Sequence, residues 1–166
     1  LIGERPGRVK GSAMRERALT EAEWAALSAG LAAALQAAGV RPRLRAGAHP
    51  AARVAAIWFG AIPIMAVGRT IWWPGAVADF AGSGAMPVLQ HELQHLLDFA
   101  EGRVTVLGYL TRPSNWRYAY ALAPGLGWDE LGAEQRATAA EDLWRAERSA
   151  DAAHAAALKA LIPWAR

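Results

Sequence analysis

His91-Glu92-Leu93-Gln94-His95 lies within an apolar, helically periodic stretch that opens near Pro87 and stops at Gly102. Val88, Leu89, Leu96, Phe99 and Ala100 supply the periodicity, and Pro87 suits the first turn of a helix. On a helix, residues four apart share one face, so both imidazoles can reach a single ion. Glu92 follows the first histidine directly and is the candidate general base, placed to take a proton from water on the metal. The chain has only four histidines, and two fall in this H-E-x-x-H pattern. Chance would produce it in roughly one chain per two hundred of this composition. Zn²⁺ suits two neutral imidazoles, so zinc is the expected cofactor.

Such a site needs a third protein ligand. An extended motif with the third ligand downstream would place glycine and histidine at positions 98 and 101, which hold Asp98 and Glu101. Asp98 shares the helix with both histidines, and one helix rarely wraps three ligands around a tetrahedral ion. His49 and His154 stand alone and read as surface or packing residues. A glutamate from a second helix remains, and the alanine-rich stretch from Ala133 to about Ile162 offers Glu134 and Glu147. Glu147 begins an E-x-x-x-D pattern with Asp151, the form in which an acid one turn on steadies a ligand histidine. Local pattern alone therefore favours Glu147.

Outward from the motif, Thr20 and Glu23 form a capping box that opens a helix running to Gly39. Trp24, Leu27, Leu31 and Leu35 make its apolar face. Val54 to Phe59 and Ile64 to Trp73 are rich in β-branched and aromatic residues and read as two short strands. Val104, Val106 and Leu107 suggest another. The expected architecture is α+β, with a small twisted sheet packed on the motif helix. Residues 1–19 read as a flexible arm, and 20–166 as one domain.

With 54% hydrophobic and 20% charged residues, the chain is not disordered. No run is long and apolar enough to suggest a membrane span. The absence of cysteine excludes disulfides and thiolate ligands. The formal charge is +3, and Lys10 and Lys159 are the only lysines. Arg41 to Arg45 is too short, and too lacking in aromatics, for a nucleic-acid site, and reads as a solvated turn. The first eleven residues carry no signal-peptide pattern.

Four elements occur in order: Gly68 to Trp73 (GRTIWW), His91 to His95, Tyr118 to Leu122 (YAYAL) and Glu134 to Ala137 (EQRA). About half the chain thereby resembles small bacterial zincins known as Vgr-related proteins, akin to metallopeptidase-like domains of secretion and contractile-injection loci. The resemblance implies a zincin-like fold, peptide-bond hydrolysis and Glu134 as third ligand. It also implies a bacterial protein, either cytoplasmic or exported by a specialised system. The partner would be a peptide or protein substrate, with neither nucleic acid nor membrane. A non-catalytic, zinc-stabilised interaction module of such an apparatus is the alternative.

In zincins the substrate backbone lies along an edge strand, so Ile64 to Trp73 is the candidate. Trp72 and Trp73 face opposite sides of a strand, and one can border a cleft. Tyr109, Tyr118 and Tyr120 are candidate donors to an oxyanion, with Tyr118 also a substrate contact.

Overall fold

A computed structural model describes residues 16–60, 62–75 and 79–166. The Thr20–Glu23 capping box is formed: Glu23 N donates to Thr20 Oγ1 at 3.1 Å, and Thr20 N donates to Glu23 Oε2 at 2.8 Å. The helix it opens is not continuous. Instead α1 (Glu21–Ala26) and α2 (Ala29–Ala37) meet at a break. Leu27 there has extended backbone and is buried. Gly39, at φ +64°, follows the end of α2.

The sheet has the order β1-β2-β4-β3, formed by β1 (Glu16–Ala18), β2 (Arg43–Ala46), β3 (Met65–Val67) and β4 (Thr70–Trp73). β2 and β4 are parallel, and the other two pairings are antiparallel. The expected arm is corrected here: its end, from Glu16, is a strand, while residues 1–15 lie outside the described residues. Arg41 to Arg45 is corrected too. Arg43-Leu44-Arg45-Ala46 alternates polar and apolar and forms β2, with Leu44 buried, Arg43 paired to Glu16 and Arg45 over the Trp72 ring.

The expected strand Val54–Phe59 belongs to a helix, α3 (Pro50–Phe59). His49 caps it by accepting from Ala51 N, Pro50 starts it, and its alanines outweigh the branched residues. Ile64–Trp73 is a hairpin rather than one strand. Its turn is Gly68-Arg69, and Gly68 takes φ +63° where a two-residue hairpin favours glycine.

The motif helix is α4 (Met86–Ala100), and α5 (Val106–Thr111) replaces the strand expected around Val104. Thr105 Oγ1 caps α5 by accepting from Gly108 N at 3.0 Å. The long alanine-rich stretch divides into α6 (Ala133–Arg148) and α7 (Ala152–Leu161). Asp151 caps α7 by accepting from His154 N.

Four strands and seven helices among the described residues make one mixed α+β domain. One core joins α1, α2 and the sheet to Leu89, Leu93, Leu96 and Leu97 of α4. A second joins α6 and α7. Trp164 packs against both and donates from Nε1 to Gln94 Oε1 at 2.9 Å. Gly30 is required under this tryptophan, because a Cβ would overlap its carbonyl oxygen. α4 thus has the sheet and α2 on one side and α6 on the other. No described helix is long and apolar enough to cross a membrane.

Candidate metal centre

α4 is buried almost throughout, from Met86 to Asp98. Its leucines face the first core, so the histidines must turn toward α6. There His91, His95 and Glu134 each offer one donor atom, all within 4.8 Å of one another and all buried. His91 Nε2 lies 3.0 Å from Glu134 Oε2, and His95 Nε2 lies 3.4 Å from Glu134 Oε1. Donors about 2.0–2.2 Å from a tetrahedral ion stand about 3.3–3.6 Å apart, so the set has the size and chemistry to hold a metal ion.

Of the two candidate glutamates, only Glu134 reaches the histidines. Glu147 lies thirteen residues further along the same helix, about 20 Å away at ~1.5 Å per residue. There it accepts from Ser28 Oγ at 2.8 Å and pairs with Lys159 at 3.1 Å. Asp98 is no ligand either. Its carboxylate accepts from Gln94 Nε2 and from Arg136 Nε, both at 2.8 Å. Arg136 is two residues beyond Glu134 and also donates to Leu131 O, so this buried ion pair locks the start of α6 against α4.

Three supporting groups complete the centre. Glu141 Oε2 lies 3.5 Å from His91 Nδ1, the ring nitrogen remote from Glu134. A carboxylate there fixes the tautomer and orientation of a ligand imidazole. Tyr109 donates its hydroxyl to Glu134 Oε1. Tyr118 stacks on His91, with ring centroids 6.1 Å apart and planes at 19°. Sequence reasoning missed Glu141. The signal was its seven-residue spacing from Glu134, which puts both on one helix face.

Burial pushes His91 down, but hydrogen bonds to Glu134 and Glu141 and the charge of Glu92 outweigh it and lift its pKa to about 9. Burial likewise opposes ionisation of Glu134, yet the two histidines and Tyr109 hold it well below the usual carboxylate range. Glu92 moves the other way. Burial raises it, and the positive charge of His95 and His91 offsets only part of that rise. Burial and the Glu134 charge push the Tyr118 hydroxyl up to about 12, so it stays protonated.

The remaining candidates lie elsewhere. Trp73 packs edge-on to Phe80 at 4.4 Å beside the first core. Trp72 lies against His49 and under Arg45 on the opposite strand face. Both belong to β4, inside the sheet, and the edge strand beside it is β3. Tyr120 donates to Asp142 Oδ2 at 2.7 Å. Tyr118 is thus the substrate-contact candidate that the structure brings to the histidines.

No protein-family model matches the chain, and no curated protein or solved structure shows significant similarity to it.

Proposed function

We propose that the protein is a zincin-like, zinc-dependent hydrolase of peptide bonds. The observation that carries this reading is the convergence of His91, His95 and Glu134 from two packed helices, with Glu92 buried beside them. Two imidazoles and one carboxylate are a donor set of hydrolytic zinc sites. Bound there, zinc supplies a Lewis acid that polarises a carbonyl and makes water nucleophilic near neutral pH.

The chain's own residues do the rest. Glu92 accepts the proton of the attacking water and returns it to the leaving amine. Its raised pKa suits a group that must both take and release a proton. Tyr118 keeps its proton and donates to the carbonyl oxygen as negative charge develops. Tyr109 and Glu141 orient Glu134 and His91. The edge backbone of β3 can pair with an extended substrate.

The test is Glu92→Gln. This variant should retain zinc at the wild-type stoichiometry while peptide turnover falls by about 10²–10⁴-fold. Loss of zinc would make Glu92 structural. Zinc binding by the wild type without turnover of any peptide in a diverse library would favour the non-catalytic interaction module.

A further inference from the structure

Water-exposed large apolar side chains are unevenly distributed. Of eight among the described residues, six fall between positions 106 and 122: Val106, Leu107, Leu110, Trp116, Tyr118 and Leu122. Leu107 is 71% exposed, and Leu110 and Tyr118 are each 59% exposed. Scattered exposed leucines need no explanation, but a contiguous apolar face does. Val106, Leu107 and Leu110 adjoin on α5 at helical spacing. Trp116 is tied to the same helix, its Nε1 donating to Tyr109 O at 2.8 Å.

The back of this face is the metal centre. Tyr109, between Leu107 and Leu110, bonds Glu134, and the Tyr109 ring stands 6.2 Å edge-on from His95. Tyr118 is exposed on one side and stacked on His91 on the other. Residues 117–123 pair with no strand, and of their main-chain groups Arg117 N, Ala119 O and Ala123 O are engaged by Ser114, Gln135 and Leu126. Tyr118 is therefore the side chain that joins the exposed face to the metal centre.

We infer that the face formed by α5, Trp116 and Tyr118 is the substrate-binding wall, and that it selects an extended polypeptide with a large aliphatic or aromatic side chain beside the bond at the metal. This inference rests on the hydrolytic reading above. Covering two or three exposed apolar side chains supplies more than enough free energy for about tenfold discrimination.

The test uses the zinc-loaded Glu92→Gln protein as a trap and two labelled synthetic peptides. One carries leucine and phenylalanine at its centre, and the other carries serine at those positions. By fluorescence anisotropy, the apolar peptide should bind at least about tenfold tighter. The Leu107→Ser/Leu110→Ser double variant should remove that preference without changing zinc stoichiometry or circular dichroism. Val106→Lys, a single exposed change, should weaken it in the same direction if the double variant folds poorly.

Equal binding of the two peptides, or a preference that survives both variants, overturns the inference. So does self-association in sedimentation, or binding to phosphatidylcholine–phosphatidylglycerol vesicles, that the double variant abolishes. Those results would assign the face to a second copy or to a lipid surface. A parallel assay with wild type separates the two readings. Cleavage of both peptides at equal rates sinks the wall but leaves the hydrolase. Selective apolar binding with no cleavage keeps the peptide-binding face and sinks the hydrolase.

Discussion

Asp98 and Arg136 form an ion pair at 2.8 Å with both side chains almost fully buried. Asp98 sits three residues after His95, and Arg136 two residues after Glu134. The pair therefore fixes the register in which α4 and α6 present their candidate metal donors. Burial raises the Asp98 pKa and the Arg136 charge opposes that rise, so each group depends on the other being present.

Asp98→Ala should cost about 3–5 kcal/mol of stability in urea unfolding, because it leaves a buried guanidinium without its partner. Replacing both residues, as Asp98→Leu with Arg136→Met, should recover most of that loss. A cost within a few tenths for the single variant would show that the pair is dispensable.

Glu134→Ala should weaken metal binding by at least about a hundredfold, whereas Glu147→Ala should stay within a few-fold. Among the described residues Glu147 bonds Ser28 and Lys159, and its loss should cost about 1 kcal/mol of stability or less. A competitive titration with a chelating dye measures both variants. The opposite ranking would reassign the third ligand.

The third prediction concerns Glu141, which faces the outer nitrogen of His91. Glu141→Gln should lower metal affinity by about 10–100-fold, with the fold intact, because the ring loses the charge that orients it. Unchanged affinity would leave Glu141 as no more than a partner of Arg145.

Glu23 predicts a pH dependence. Burial would raise its pKa, but hydrogen bonds from Arg17 and from the Thr20 and Phe80 amides lower it from 4.5 to about 2. A depressed carboxylate contributes stability that is full above its unfolded value and is lost as pH falls through its folded one. Glu23→Gln should therefore cost about 2–4 kcal/mol at neutral pH. The gap from wild type should narrow between about pH 4.5 and pH 2. A gap independent of pH would show that the charge of Glu23 contributes nothing.

Of the candidate metal donors, His91 and His95 were legible from a local rule, whereas Glu134 was read from the order of the GRTIWW, H-E-x-x-H, YAYAL and EQRA elements. Four-residue spacing puts His91 and His95 on one face, and alanines mark the helix that bears Glu134. Local pattern favoured Glu147, and helix packing decides against it. Two of the errors share one cause. Short apolar runs such as Val54–Phe59 and Val104–Leu107 fit a strand or a helix equally well by period. Pro50 and Thr105, just upstream, tip both toward helix. At the Leu27-Ser28 break, Ser28 takes the N-cap position of α2 and is held by Gln90 and Glu147 from distant helices.

The connection between α5 and α6 is anchored on both sides of an exposed stretch. Tyr109, Asn115 and Tyr120 are tied down before it, Trp128 and Leu131 are buried after it, and residues 121–125 lie in solvent. All three metal donors lie outside that stretch, on helices that pack directly against each other. Chain continuity is therefore not what assembles the centre. A single proteolytic nick near Pro124 would leave two fragments held by their shared interior, and the candidate metal donors would then be shared across a non-covalent heterodimer.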